Sequence, residues 1–357
     1  MDRRRFGNSD LEVSAISLGC WIFGVDWWGH YTDEDASRLC SFSYDQGVTF
    51  FDNGDAYGNG RAETLFGNWL KQSGIARDKI EIGSKFGYDW YNDPGTPGSH
   101  RERKQDFSPK AMRFSLEQSL KRLQTDTIDL YMAHNIKLPQ FRDDMFAELE
   151  KLKQEGKIKV WGVSLGPAIG WREEGFKAMT DHGAKAVQTV FNLFEQHPGR
   201  EFCELAVSQK AGVLARVHDN SSILKDVVKI DTVLSNDDHR KFRDQSWKIY
   251  GIKKLDLVRH YAADHGMTMH EFACKWLLQQ PGLTSITGTF LNEKEIGEAC
   301  AATTKSDLTT AELNQLTADY AKDWDLGPEA HPCDLKSSSD PSGMVKSSYV
   351  PPPVLIA

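Results

Sequence analysis

The sequence predicts an α/β protein that folds as a single (β/α)8 TIM barrel with long loops at its C-terminal face. Eight short apolar runs alternate with amphipathic helical segments, a pattern typical of a parallel sheet covered by helices. Eight such units favour closure into a barrel, with a doubly wound open sheet as the alternative. The 357 residues are 39% hydrophobic and 26% charged, which is ordinary for a globular protein with a large core.

The predicted strands are short runs rich in valine, isoleucine and leucine that end at a turn signal. They cover residues 13–18, 48–52, 80–85, 128–133, 158–164, 186–191, 212–217 and 284–288. The predicted helices have apolar positions at helical spacing. They cover residues 33–46, 61–72, 109–122, 140–155, 171–182, 200–210, 255–265 and 269–280. Helix starts carry capping signals, such as Thr32 and the pair Ser108-Pro109.

The barrel domain is predicted over residues 1–322, followed by a C-terminal segment over 323–357 that partly covers the site or is disordered. Three further long segments, 21–31, 87–107 and 218–247, each follow a predicted strand directly. In a parallel barrel the carboxyl ends of all strands lie on one face, so these loops are expected to surround one mouth. Loops of this length usually bind ligands or are disordered.

Charge and composition exclude several classes of partner. The chain has 43 basic and 51 acidic residues, a net charge of −8, which argues against binding nucleic acid or an anionic membrane. No apolar run approaches the roughly 18 residues of a membrane span, and no export signal is evident, so a cytoplasmic protein is expected. The six cysteines and eleven histidines show no metal-ligand motif, and no metal site is expected.

Polar side chains end three consecutive predicted strands. Asp52 follows the second strand, Lys85 the third and His134 the fourth, and Tyr57 lies in a glycine-containing turn five residues after Asp52. In a barrel these strand ends are neighbours, so we expect the four side chains to meet at the C-terminal mouth. Any one of them alone would more often be structural than catalytic.

These four groups suit the reduction of a carbonyl, which needs a hydride on carbon and a proton on oxygen. A free phenol is a poor acid near neutrality, because its pKa is about 10. An ammonium next to the phenol favours the phenolate, and a carboxylate keeps that ammonium charged and in place. An imidazole can orient the substrate oxygen. We therefore expect Tyr57 to act as general acid/base, tuned by Lys85 and Asp52, with His134 orienting the substrate.

The segment 47–58, which contains Asp52 and Tyr57, resembles the signature of the aldo-keto reductase family. Lys85 and His134 match the other two catalytic positions of that family, and the resemblance extends over about residues 5–316. It implies an NAD(P)H-dependent oxidoreductase or alcohol dehydrogenase that moves a hydride reversibly between nicotinamide and a small carbonyl or alcohol substrate. The oligomeric state is left open.

The resemblance also implies positions for the nicotinamide end of the cofactor. Trp21 and Asp52 lie at the first two strand ends, and Ser164 and Gln188 are expected to hydrogen-bond the carboxamide. The family usually has Asn after the serine, where this chain has Leu165. Arg216 stands where a flat side chain covers the nicotinamide, and its planar guanidinium is a candidate substitute.

Gly288 and Thr289 are expected to open the phosphate site after the eighth strand, at a helix N-terminus. An arginine that grips the 2′-phosphate of NADP is common two residues after this glycine, but the chain has Phe290. Lys294 is a candidate replacement. The resemblance favours NADP(H), with NAD(H) as the alternative.

Aromatic residues in the loops are candidates for the substrate site. Trp27, Trp28 and Trp90 suit a sugar-like or polyoxygenated substrate, which stacks its C–H face on a ring, and they equally suit an aromatic one. Two other functions stay open. One is a nicotinamide-binding sensor or regulatory subunit without turnover. The other is a serine hydrolase, because Gly162-Val163-Ser164-Leu165-Gly166 fits GxSxG after a strand, although no acid–histidine pair accompanies it.

Overall fold

A closed barrel of eight parallel strands forms the centre of the protein. The computed structural model describes residues 1–95, 103–166, 172–235, 238, 240, 243 and 245–330. The barrel strands follow one another around the axis in chain order, and the last pairs with the first. The predicted (β/α)8 barrel is therefore confirmed, and the open sheet is excluded.

The barrel strands are β3 (Ile16–Gly19), β4 (Phe50–Asp52), β5 (Glu81–Phe86), β6 (Ile128–His134), β7 (Ile158–Ser164), β8 (Ala186–Val190), β9 (Gly212–Arg216) and β10 (Leu283–Gly288). The helices are α1 (Asp33–Asp45), α2 (Arg61–Ser73), α3 (Pro109–Leu123), α4 (Asp143–Gln154), α5 (Arg172–Thr180), α6 (Gly199–Gln209), α7 (Gln245–Asp264), α8 (Met269–Leu278), α9 (Glu293–Ala301) and α10 (Thr310–Ala321). Each predicted strand overlaps an observed one, because the apolar runs are buried on both faces.

An N-terminal hairpin was not predicted. Strand β1 (Arg3–Arg5) pairs antiparallel with β2 (Glu12–Ser14), and the first barrel strand starts only at Ile16. The predicted strand over 13–18 is therefore two strands separated at Ala15. Phe6, Leu11 and Val13 of the hairpin join a buried cluster inside the barrel and close its N-terminal end.

The helices differ from prediction mainly near the C-terminus. Helix α7 begins at Gln245 rather than at residue 255. A helix after the eighth strand was expected without bounds and is α9, whereas α10 was not predicted. Both helices have clear capping residues: the side chain of Asn292 accepts from Glu295 N, and Thr309 forms a capping box with Glu312. Those capping signals were present in the sequence, but the apolar periodicity of these short helices is weak.

The barrel register places the polar strand ends side by side. Asp52 is level with Gly19 and Gly83 on the adjacent strands, and Ser164 is level with both His134 and Gln188. No helix in the described part of the chain is both long and apolar enough to cross a membrane. Of the predicted C-terminal segment, residues 331–357 lie outside the described residues.

Candidate active site

A buried ion pair joins the ends of β4 and β5. Lys85 Nζ donates to both carboxylate oxygens of Asp52, at 2.7 and 2.8 Å, and to the carbonyl oxygen of Asn53 at 2.6 Å. Both charged side chains are almost completely shielded from solvent, with exposed fractions of 0% and 4%. A buried pair with three short hydrogen bonds holds the ammonium at a fixed position.

The turn after β4 folds the Tyr57 ring back over this pair. Lys85 Nζ lies 4.9 Å from the centroid of the ring, and the ring packs directly on Gly54. Gly58 ends the turn with a φ of +60°, and a Cβ there would lie 2.2 Å from the carbonyl oxygen of Gly24. Only glycine satisfies both the left-handed backbone and this close approach. The sequence-predicted meeting of Asp52, Tyr57 and Lys85 is therefore present in the structure.

The pKa of Tyr57 reflects two opposing effects. Burial raises the pKa of its phenol most strongly, while the charge of Lys85 and a hydrogen bond from it lower the pKa; the net result lies above the ordinary value. Burial acts to lower the pKa of Lys85, but Asp52 and Tyr57 outweigh it and leave that pKa raised. The ammonium is therefore permanently charged at neutral pH, and the phenol is protonated.

His134 completes the group. Its ring meets the ring of Tyr57 edge-on with centroids 5.6 Å apart, and it meets the ring of Tyr88 edge-on at 5.0 Å. Burial, and then the charges of Lys85 and Arg216, hold the pKa of His134 well below its usual range, so the imidazole is neutral. Its Nδ1 has no hydrogen-bond partner within the described residues. The imidazole therefore has hydrogen-bonding capacity to offer a ligand.

Ser164 and Gln188 continue the polar row around the mouth. The Ser164 hydroxyl donates to Gln188 Oε1 at 2.7 Å, and Gln188 Nε2 donates to Asp52 Oδ2 at 3.0 Å. Both side chains are buried. The hydroxyl of Ser164 is thus paired with an amide rather than with an imidazole, and this pairing does not support a nucleophilic serine. Trp21 lies at the opposite side of the mouth, 6.3 Å from the Tyr57 ring.

Arg216, at the end of β9, brings a second cation to this mouth. Its Nη2 and Nε donate to the carbonyl oxygen of Leu165, at 2.7 and 3.2 Å. Burial lowers the pKa of the guanidinium, although the charges of Tyr57 and Asp52 act in the opposite direction. Among the described residues no salt bridge from a carboxylate to Arg216 appears. Its positive charge therefore acts directly on Tyr57 and His134.

The segment after β10 differs from the sequence expectation in detail. The Phe290 ring is buried and packs against Gly288, where a Cβ would lie 2.0 Å from the ring. The carbonyl oxygen of Thr289 accepts from Lys225 Nζ at 3.1 Å. Lys294 is 82% exposed and lies 3.7 Å from Glu298. Lys294 thus has the surroundings of a solvated helix lysine.

The three candidate substrate tryptophans fall into two groups. Trp27 and Trp28 both meet Trp21 edge-on, with centroids 5.2 and 6.4 Å away, so they lie beside the mouth that holds Tyr57. Trp90 instead stacks on Tyr91 at 3.9 Å. Arg122 lies over both of these rings and pairs with the buried Glu63. The contacts of Trp90 are those of a residue that packs the loop after β5 onto α2 and α3.

Sequence reasoning missed two polar clusters near the mouth. In the first, Lys225 bridges Asp219 at 2.9 Å and Glu295 at 2.8 Å and so links the loop after β9 to α9. In the second, His218, His270 and Cys274 lie close together. The spacing of His270 and Cys274, four residues apart on a helix, was the available signal. No sequence signal placed the loop residue His218 beside them.

A model of the Aldo/keto reductase family matches residues 15–320. The chain is 28% identical over 322 residues to the probable aldo-keto reductase 1 of Glycine max, covering 85% of this chain and 86% of that protein. It is 27% identical over 317 residues to the aldo-keto reductase YhdN of Bacillus subtilis (strain 168), covering 83% and 91%.

Two solved structures share this architecture. The glycerol dehydrogenase AKR11B4 from Gluconobacter oxydans superposes with a TM-score of 0.77 at 25% identity, covering 90% of this chain and 95% of that one. The aldo-keto reductase AKR11C1 from Bacillus halodurans, in its holo form, gives 0.69 at 22% identity, covering 90% and 96%, and supports the fold alone. Since the family match spans most of its length, the chain belongs to the aldo/keto reductase family and is an oxidoreductase of that type.

Proposed function

We propose that this protein transfers a hydride reversibly between a nicotinamide dinucleotide and a carbonyl or alcohol carbon, with Tyr57 as general acid/base. The observation that carries the proposal is the placement of the Lys85 ammonium, which is held by Asp52 and lies 4.9 Å from the Tyr57 ring centroid. A bound dinucleotide would supply the hydride, and the residues at the mouth handle the proton and the orientation of the substrate.

The proton leaves and returns through Tyr57. When a carbonyl is reduced, the phenol gives its proton to the developing alkoxide, and the remaining phenolate is stabilised by Lys85. Asp52 keeps the ammonium in place through two hydrogen bonds, so no reorganisation is needed as the phenolate forms. In the oxidative direction the same phenolate accepts the hydroxyl proton of an alcohol.

His134 and Arg216 set the electrostatic surroundings of this transfer. A neutral imidazole can donate a hydrogen bond to the substrate oxygen without competing with Tyr57 as an acid. Arg216 adds positive charge near the phenol and lowers the cost of forming phenolate. Its guanidinium is also the flat group best placed by chain position to lie over the nicotinamide.

The residues present fit a nicotinamide. Ser164 and Gln188 are buried polar side chains at adjacent strand ends, and a carboxamide can exchange hydrogen bonds with both by opening their mutual contact. The loop after β9 has left-handed φ values of +49°, +54° and +77° at Asn220, Ser221 and Ser222. Such strained backbone is concentrated at ligand-binding sites and supports a role for this loop in holding the phosphates.

For the adenosine end we propose NAD(H) rather than the NADP(H) favoured by the resemblance. The position of the usual arginine holds the buried Phe290, and Lys294 is exposed. The first turn of α9 carries Glu293 and Glu295, and the nearby Lys225 is occupied by two carboxylates. A 2′-phosphate, with nearly two negative charges, would be repelled by these carboxylates. Arg38 and Lys225, which contact Glu293 and Glu295, are each already paired with two carboxylates.

We propose a small polyol or sugar-like alcohol, or the corresponding carbonyl, as the substrate. Trp21, Trp27 and Trp28 form an aromatic wall beside Tyr57, suited to the C–H face of such a molecule. Arg240 lies over the Trp28 ring at 5.5 Å and adds a hydrogen-bond donor to this side. The similar Gluconobacter enzyme is named a glycerol dehydrogenase, which supports the same substrate class.

The proposal is tested with Tyr57→Phe. The rates of reduction of sugars and aromatic aldehydes with NADH, and of oxidation of short polyols with NAD⁺, should fall by about 10²- to 10⁴-fold, as expected when a general acid/base is removed. Cofactor affinity, measured by quenching of tryptophan fluorescence, should change little. Unchanged turnover in the variant would remove Tyr57 from its role, and no turnover in the unaltered protein with any member of the panel would favour a sensor.

The cofactor preference is tested by the same fluorescence titration with NADH and NADPH. We expect tighter binding of NADH, and we expect the double variant Glu293→Gln/Glu295→Gln to gain affinity for NADPH selectively. Lys294→Ala serves as the control and should leave the preference unchanged. Tighter binding of NADPH by the unaltered protein, lost in Lys294→Ala, would establish the opposite preference.

A further inference from the structure

A buried cluster of nitrogen and sulfur ligands lies behind the loop after β9. His218 belongs to this loop, whereas His270 and Cys274 are one turn apart on the same face of α8. All three side chains are buried, and their candidate ligand atoms lie within 4.8 Å of one another. The two imidazoles point Nε2 toward Nε2 at 2.9 Å.

Ordinary packing accounts poorly for this cluster. At 2.9 Å the two nitrogens share a single proton, so at least one imidazole is neutral and offers a lone pair to the other. The Nδ1 of His218 is buried without a hydrogen-bond partner in the described part of the chain. The Phe290 ring covers both imidazoles, with centroids 5.3 and 6.0 Å away, so this side gives no polar contact. Buried polar atoms without partners cost free energy and call for an explanation.

The surroundings match those of a metal-binding histidine. Glu298 Oε2 lies 3.1 Å from Nδ1 of His270 and so directs its Nε2 into the cluster. A carboxylate on the outer nitrogen is the usual arrangement for metal-bound histidines, because it fixes the tautomer and raises the basicity of the inner nitrogen. Asp219 follows His218 in the chain and is also buried. A Cys274 thiolate would supply one negative charge to a divalent cation, and the group formed by Asp219, Glu295 and Lys225 carries a second in excess.

We propose that His218, His270 and Cys274 form a binding site for a divalent cation of the zinc type. Two imidazole nitrogens and one thiolate favour Zn²⁺ or Co²⁺ and disfavour Mg²⁺ and Ca²⁺, which prefer oxygen. When the ion binds, the Cys274 thiol releases its proton to solvent as the metal–sulfur bond forms. The proton between the two Nε2 atoms moves to Nδ1 of His218, which leaves both Nε2 lone pairs for the ion.

The site would act on stability and on loop position rather than on hydride transfer. It joins the loop after β9 to α8, and the same loop carries Lys225, which bridges to Thr289 and Glu295 at the proposed cofactor edge. A bound ion would therefore hold this loop in the conformation that contacts the cofactor. The inference is independent of the proposed reaction, because metal binding can be measured without any substrate.

The experiment uses the full chain without an affinity tag, stripped of metal by a chelator and then titrated with CoCl2. The unaltered protein should bind about one Co²⁺ per chain, with the near-ultraviolet thiolate-to-cobalt charge-transfer absorption of a cysteine-ligated site. Cys274→Ser should lose this absorption, and His270→Ala should weaken binding by about 10- to 100-fold or more. Cys300→Ser removes another buried cysteine and should behave like the unaltered protein.

A second readout is the melting temperature, which ZnCl2 should raise in the unaltered protein and in Cys300→Ser but not in Cys274→Ser. Circular dichroism establishes that each variant is folded. If the metal-stripped unaltered protein takes up no Co²⁺, or if folded Cys274→Ser keeps the charge-transfer absorption, the proposed site does not exist. Neither result would affect the assignment of Tyr57.

Discussion

The two ends of the barrel bury very different side chains. At the N-terminal end, Phe6, Leu11 and Val13 of the hairpin close an apolar interior that includes Phe50 and Leu130. At the C-terminal end, the same strands finish in charged and polar residues that are also buried. The charged groups differ as well: Arg3 at the N-terminal end pairs with Glu81 while 41% exposed, whereas Lys85 at the mouth is 0% exposed.

The side chains that mainly stabilise the fold and those of the proposed active site thus lie at opposite ends of the barrel axis. The apolar end contributes free energy of folding through burial and needs no precise electrostatics. The polar end holds desolvated charges, which is costly, and the cost is offset only because each charge has several partners. We therefore expect substitutions at the apolar end to change stability alone, and substitutions at the mouth to change activity, stability or both.

The largest expected effect is that of Lys85→Met at the mouth. Removing one partner of a buried ion pair leaves Asp52 uncompensated, which should reduce the free energy of unfolding by about 3–5 kcal/mol. Turnover should also fall, because the phenolate of Tyr57 loses the positive charge of Lys85 that stabilises it. Urea unfolding and steady-state kinetics measure the two effects. The double variant Asp52→Leu/Lys85→Met should regain stability without regaining activity, and recovery of both would contradict the proposed role.

At the apolar end, Leu130→Ala should reduce the free energy of unfolding by about 2–5 kcal/mol, through lost burial and a residual cavity. The turnover number of the folded variant should remain that of the unaltered protein, since Leu130 lies in the interior cluster with the hairpin. Urea unfolding measures the first quantity and kinetics below the midpoint the second. A large loss of turnover in the folded variant would mean that the two ends are coupled.

Stability should fall in mild acid because of His134. The pKa of His134 is lowered in the folded state, whereas in the unfolded chain it has the ordinary value of about 6.5. Below that pH the unfolded chain therefore binds more protons than the folded one, and stability falls. The contribution is absent above that pH, and the loss of stability grows by at most about 1.4 kcal/mol for each pH unit below it. Urea unfolding at pH 7 and at pH 5 should show a smaller loss of stability in His134→Gln than in the unaltered protein. His260 on α7 is exposed, so His260→Gln is the control and should lose as much stability as the unaltered protein. An equal loss in His134→Gln and the unaltered protein would refute the assignment.

The smallest expected effect is that of Ser164→Ala. Loss of one hydrogen bond should weaken nicotinamide binding by roughly 3- to 10-fold, or about 0.5–1.5 kcal/mol, with turnover largely retained at saturating cofactor. Fluorescence titration and kinetics measure the two quantities. Complete loss of an esterase activity in this variant would instead revive the serine hydrolase reading.

The sequence predicted the C-terminal end of the barrel better than the N-terminal end. Asp52, Lys85 and His134 each follow an apolar strand, so the rule that parallel strand ends share one face was enough to bring them together. The hairpin was missed because its strands are only three residues long and were merged with the first barrel strand. The contacts of Lys225 and His218 join segments far apart in the chain, and no local pattern encodes such contacts.

By itself, the sequence determined the closed barrel and the identity of the residues at its mouth, because strand–helix alternation and polar strand ends are local properties. Only the tertiary structure decided the net electrostatic outcome. Lys85 was expected to lower the pKa of Tyr57, yet burial outweighs it and the pKa is raised. Desolvation depends on every neighbour that excludes water, and that set of neighbours exists only once the chain has folded.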